Sequence, residues 1–304
     1  MPGILESKEQ DAPPPRPTLH CEGSMAASSS VLSGGDPFSV DPSVQTMSAA
    51  RSWREPLTGF EWLALRAAPV YFGYGAPRGH GEPIVLLPGF MGSDAYLAEL
   101  FFWLRRIGYQ PYFSGLELNT DCPDATMGHL LAVLRRAKRE TAQKPILIGH
   151  SLGGMIARAI ALESPDLLGG VISMGSPFKG VAEVHPVIPA LTSALLRLQH
   201  HRPLRNLKPS CYSGFCICVF NRSLLSVQEY AVPHFAIYSK HDGVVHWENC
   251  LEDDPLLNDE VDCSHTGMAW HSGVYRVLAR RLAEIVAVNR DTGMVATPMP
   301  VGHA

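Results

Sequence analysis

The sequence predicts an α/β fold, a mostly parallel sheet with helices on both faces and a cap insertion. Three observations predict it. Short apolar runs alternate with amphipathic helical stretches from Pro83 to Leu162, the pattern of parallel strands joined by crossover helices. The run Ile146-Leu147-Ile148 leads straight into Gly149-His150-Ser151-Leu152-Gly153, which leads into a helix-forming segment from Met155. A long stretch, about 178–232, breaks the alternation between two strand runs, as an insertion over a site does.

The second observation carries the most chemistry. Strand, sharp turn, helix is the setting that G-x-S-x-G requires. A serine strained between strand and helix brings the residues two positions away into close contact, so only small residues fit there. Gly149 and Gly153 meet that demand. The turn lifts the hydroxyl of Ser151 clear of the sheet edge.

Composition bounds the rest. The 304 residues are 46% hydrophobic and 18% charged, with a net charge of −4. That describes a globular chain with no electrostatic pull towards nucleic acid or an anionic membrane. No apolar run reaches bilayer length. The first residues lack a basic segment followed by an apolar one, so no secretory signal is expected. Seven cysteines leave at least one unpaired in a monomer, which leans towards a reducing cytoplasm.

Taken in order, residues 1–54 are expected to be a disordered extension, rich in proline, serine and glycine. A domain is expected over 55–290, and a flexible tail over 291–304. Trp62, Leu63, Leu65 and Ala68 suggest a short helix docking on the core. Pro83–Leu87 is a buried strand, followed by Pro88-Gly89-Phe90-Met91-Gly92 and by Ser93 as a helix cap. Leu97, Leu100, Phe101, Leu104 and Ile107 then form one apolar helical face that ends at Gly108. Residues 110–114 are the next strand. Asp124 to Gln143 is a helix with Met127, Leu130, Leu131 and Leu134 inward and its arginines outward. Gly170–Met174 is a strand. The insertion ends in an apolar, cysteine-rich run, Cys211 to Phe220. Strands follow at 233–238 and 258–263, then a helix burying Val274, Leu278, Leu282 and Ile285.

A serine hydroxyl needs a base to take its proton, and that base needs a carboxylate to orient it. In such a sheet the chain order is serine, acid, histidine. Asp242 lies just past a strand end, and His265 lies between the last strand and the last helix. Asp166, Asp254, Asp259 and Asp262 read as solvated. His150 is too near the serine backbone to serve as its base. His241 and His246 flank the acid as pocket or core residues, and His271 starts a helix as a cap. An oxyanion needs two backbone N–H donors. These are Leu152, after the serine, and Phe90, in the loop after the first strand, with Met91 as the alternative. Cys216-x-Cys218 and His200-His201 lack the four-ligand spacing of a zinc site, and Cys211, Cys216 and Cys218 read as core or cap residues. A Cys250–Cys263 disulfide would need an oxidising compartment. No cofactor is expected.

In this order, the stretches GEPIVLLPGFMGSD, LRRIGYQPYFSGLELN, PILIGHSLGGMIAR, GSPFKG, YSKHDGVVHW and SHTGM resemble bacterial lipase-like members of the α/β-hydrolase fold. The resemblance spans about Gly79 to Val288. It implies Ser151 as nucleophile, Asp242 as acid, His265 as base, and Phe90 with Leu152 as oxyanion hole. The expected reaction is hydrolysis of carboxylic esters, lipid-like ones given the apolar cap, with transient contact at a lipid interface. An acyltransferase using the same residues and a non-catalytic binding protein on the same fold are the alternatives. The chain departs from the pattern in its N-terminal extension, its CYSGFCICVF segment and Met268-Ala269-Trp270.

Overall fold

The computed structural model describes residues 55–56, 58–179, 218–224, 226 and 230–291. The expected extension (1–54), most of the expected cap (178–232) and the tail beyond Asp291 lie outside the described residues.

Among the described residues, six strands form one sheet. They are β1 (Pro83–Leu87), β2 (Gln110–Phe113), β3 (Ile146–His150), β4 (Gly170–Met174), β5 (His234–Tyr238) and β6 (Asn258–Glu260). Their order is β2-β1-β3-β4-β5-β6, and every neighbouring pair runs parallel. The order reverses around β1 and β3. That places the crevice for a site at the carboxyl ends of those strands.

All five positions of β1, β3 and β4 are buried, because helices cover both faces. Ile84, Leu86, Ile146, Ile148 and Ile172 point to one face, where they meet Trp103 and Leu104 of α2 (Ala98–Arg106) and Tyr275, Leu278 and Leu282 of α6 (Ser272–Asp291). Val85, Leu87, Leu147 and Val171 point to the other. There they meet Leu130 and Leu134 of α3 (Pro123–Thr141) and Ile156 and Ile160 of α4 (Leu152–Glu163). Each such aliphatic side chain contributes about 1.5–3 kcal/mol by leaving water. Two-sided burial is why these strands read as continuous apolar runs.

The lead-in helix is α1 (Thr58–Ala67). Leu65 is buried in the core, but Leu63 is exposed rather than docked. Ser93 precedes a 3₁₀ turn (Asp94–Leu97) and makes no side-chain cap. The neighbouring carboxylate acts instead: Asp94 accepts from the Ser114 and Gly115 amides at 3.0 and 2.8 Å, tying that turn to the end of β2. The last strand stops at Glu260 rather than running to residue 263. Beyond it, Ser239 Oγ donates to the Cys263 carbonyl at 2.7 Å, so the chain bends over the carboxyl edge of β5.

The described end of the cysteine-rich run is core. Cys218 and Phe220 are buried against α3 and α4, where residues 219–224 form α5 (Val219–Leu224). The Asp124 carboxylate caps its first turn, accepting from the Val219 and Phe220 amides at 3.0 and 2.9 Å. No helix among the described residues is long and apolar enough to cross a membrane.

Candidate active site

β3 delivers its last residue, His150, to the sheet edge, and Ser151 turns the chain into α4. Ser151 has φ 52° and ψ −121°, a conformation that an L-residue adopts only under strain. Two things hold it there. Its amide donates to the Met174 carbonyl of β4 at 2.8 Å, and its carbonyl accepts from Gly154 N–H at 3.0 Å in the first turn of α4. The flanking glycines are sterically required, as expected: a Cβ on Gly149 would lie 2.4 Å from the Gly153 backbone.

The loop after β1 presses against this turn. A Cβ on Gly89 would stand 3.0 Å from Ser151 Cβ. Met91 has φ 56°, and its amide donates to the Asn119 carbonyl at 3.0 Å. That bond engages the amide of Met91, the alternative donor; Phe90 stands one residue earlier in the same loop. Asn119 fixes the loop three times. Besides the Met91 bond, its amide donates to the Gly92 carbonyl at 2.8 Å, and its Nδ2 donates to the Pro88 carbonyl at 2.8 Å. Sequence reasoning missed Asn119, because nothing local marks an asparagine as the anchor of a loop some thirty residues away. Leu152 stands at the first position of α4, where a backbone N–H has no partner within the helix.

Asp242 follows β5 and is buried. Its Oδ1 accepts from the Val244 and Val245 amides, each at 2.8 Å. Its Oδ2 accepts from His265 Nδ1 at 2.6 Å, which leaves Nε2 as the ring's remaining nitrogen. Burial alone would push His265 down. The charge and hydrogen bond of Asp242, with the charge of Glu55, outweigh it and hold the imidazole above its ordinary value of 6.5. Ser151 makes no hydrogen bond to His265 among the described residues. Bonds of this kind tighten when substrate is engaged.

His150 lies between them as a neutral spacer. Its Nε2–H donates to the His265 carbonyl at 3.0 Å, and the two rings are 4.7 Å apart. Burial, then the charge of His265, lowers its pKa to about 3. The other histidines and aspartates considered for the base and the acid stand apart. His241 and His246 are not core residues: they pair with Asp262 and Glu248, each at 2.7 Å. His271 Nδ1 accepts from the Gly273 amide at 3.2 Å at the start of α6, as a cap does. Asp259 is tied up by Arg280 and Arg281. Asp254 caps a surface turn through Leu256, and Asp166 is exposed.

Cys250 and Cys263 are buried free thiols, and no disulfide joins them. Burial, with the nearby Asp242 charge, pushes both thiols up and keeps them protonated. Met268 and Ala269, which depart from the expected pattern, are fully buried in the core under the histidine loop. Gly175 has φ 57°, and a Cβ there would come within 3.2 Å of His265 Nδ1.

Comparison with known proteins agrees with this architecture. A family model described as the alpha/beta hydrolase fold matches residues 82–200. The triacylglycerol lipase of Burkholderia plantarii is 29% identical over 134 residues, 41% of this chain and 37% of the lipase. That of Vibrio cholerae is 35% identical over 117 residues, 36% of this chain and 37% of the lipase. The chain therefore spans little more than a third of the length of these relatives. The crystal structure of the Bacillus licheniformis lipase BlEst2 has the same fold. It superposes with a TM-score of 0.51 at 18% identity, covering 68% of this chain and 94% of that one. Sheet order, strained turn and the matched family model together show the α/β-hydrolase fold, and the matched stretches of the chain are similar to triacylglycerol lipases.

Proposed function

We propose that this chain hydrolyses carboxylic esters with apolar acyl groups through Ser151, His265 and Asp242. One observation carries the reading: a buried carboxylate 2.6 Å from a histidine Nδ1, in the loop beside a serine held at φ 52°. The relatives that are triacylglycerol lipases support the ester class.

On this reading the steps are these. Ser151 Oγ attacks the ester carbonyl carbon, and its proton passes to His265 Nε2. Asp242 keeps the proton on Nδ1 and stabilises the imidazolium. The oxyanion accepts from Phe90 and Leu152 N–H. The carbon–oxygen bond to the alcohol breaks, and His265 returns the proton to the leaving alkoxide. Water then gives a proton to His265 and attacks the acyl carbon; the bond to Ser151 Oγ breaks, His265 returns the proton to Oγ, and the acid is released.

The base must be neutral to work. Because His265 is held above 6.5, activity falls as pH drops through that raised value, and the acid limb lies above pH 6.5. A series of p-nitrophenyl esters, assayed across pH and with a competing alcohol, tests the reading. Turnover favouring apolar acyl groups, with free acid as product and an acid limb above 6.5, is the expected result. A limb well below 6.5 would contradict His265 as base, and acyl transfer to the alcohol in place of acid would contradict hydrolysis.

A further inference from the structure

Two carboxylates from the lead-in segment reach the loop that carries His265, and the mechanism uses neither. Glu61 of α1 accepts from the Ser264 amide at 2.8 Å and from the Ser264 hydroxyl. A Cβ on Gly267 would fall 1.6 Å from Glu61 Oε2, so the glycine leaves room for the carboxylate. Glu55 goes further. Its Oε1 accepts from the amide of His265 itself at 2.8 Å and from the amide of Gly243, the residue after Asp242, at 3.2 Å. Its Oε2 accepts from Thr266 N–H at 3.1 Å and from Thr266 Oγ1 at 2.6 Å. One carboxylate thus bonds both the acid-bearing loop and the base-bearing loop, which are also joined by the Asp242–His265 pair and by Ser239 Oγ at Cys263.

We propose that Glu55 is a positioning residue for this site, clamping the Asp242 and His265 loops together and placing a second negative charge beside the base. The inference rests on the Ser151–His265–Asp242 reading. A half-buried carboxylate that accepts several N–H bonds is held in place by them, because charge-assisted bonds are the stronger ones. Burial pushes the Glu55 carboxyl up, but the bonds from Thr266 and His265, with the His265 charge, outweigh it and hold it below the usual carboxylate range. It is ionised wherever His265 titrates. Other groups also face the base. Asp242 is its partner, His150 is neutral, Cys263 is protonated, Glu61 is spent on Ser264, and Tyr96 donates to the Thr266 carbonyl at 2.7 Å.

The test uses E55Q and E55D in the full chain, with kcat, KM and the pH profile. Removing the charge by E55Q is expected to lower kcat about tenfold, as losing an outer partner of a functional histidine does, with KM little changed. It is also expected to move the acid limb to lower pH, a shift that a purely structural role would not produce. E55D keeps the charge but is too short to reach both loops. It should lower kcat while leaving the limb in place, and it serves if E55Q does not fold. An E55Q enzyme with unchanged kcat and limb would overturn the proposal, as would E55D with wild-type kcat. Fluorophosphonate labelling of the wild type separates the two layers. If Ser151 labels but the E55Q rate matches wild type, this inference alone fails; if Ser151 does not label, the underlying reading fails with it.

Discussion

Ser151→Gly is expected to abolish ester hydrolysis and at the same time to make the protein more stable. Loss of the nucleophile should lower kcat by about 10⁶-fold, as removal of a triad serine does. The stability gain comes from the backbone. Ser151 sits at φ 52°, ψ −121°, where a residue with a Cβ stores about 1–3 kcal/mol and glycine stores nothing. Glycine gives some of this back, because its unfolded chain has more freedom to lose, about 0.5–1 kcal/mol. The net expectation is about 1 kcal/mol, or a melting temperature a few degrees higher. Ser151→Ala separates the two effects: it should lose activity as fully while keeping the strain and the wild-type melting temperature. If glycine and alanine variants melt together, the turn is not strained, and the account of how the fold presents the hydroxyl is wrong.

Gly153→Ala should be severely destabilising. A Cβ there would lie 2.4 Å from the Leu87 carbonyl oxygen and 2.7 Å from that of Pro88. Both are backbone atoms, and neither is free to retreat. Leu87 is registered against Gly149 in the sheet, and Pro88 O is held by Asn119 Nδ2. Relief would have to move α4 away from the end of β1, opening the core and the candidate oxyanion loop together. A loss above about 4 kcal/mol is expected, the range reserved for severe overpacking and strain. Gly128→Ala supplies the contrast. It lies inside α3, and a Cβ there meets nothing within 4 Å, so alanine should stabilise by about 1 kcal/mol through helix propensity. Chemical denaturation of the two variants reads both signs. Gly153→Ala with near-native stability would show that α4 is not packed as tightly on β1 as the contact requires.

The parts of this molecule that the sequence reveals are those that obey local rules. Ile84–Leu87, Ile146–Ile148 and Val171–Met174 read as buried strands because both faces of those strands are covered. Ser151 is legible because its strain leaves a glycine on either side. Asp242 and His265 are legible because chain order and strand ends narrow the choice, and the structure brings them within 2.6 Å. What escapes is non-local. Glu55 and Glu61 look like ordinary acidic residues near a helix start, yet they bond loops some two hundred residues away. Asn119 looks like a turn residue, yet it fixes the loop after β1. These side chains satisfy backbone N–H and C=O groups of other segments, and no periodicity or spacing records which segment will need them. The histidines next to the acid misled for the opposite reason. His241 and His246 sit beside Asp242 in sequence, but the turn that buries Asp242 directs them to Asp262 and Glu248.

Whether Ser151 is an activated nucleophile is read by reaction of the intact protein with a fluorophosphonate, followed by mass analysis of its peptides. The expected result is one adduct, on the peptide carrying Ser151, formed faster as pH rises through the acid limb and absent from Ser151→Ala. An unlabelled protein, or an adduct on any other residue, would contradict it.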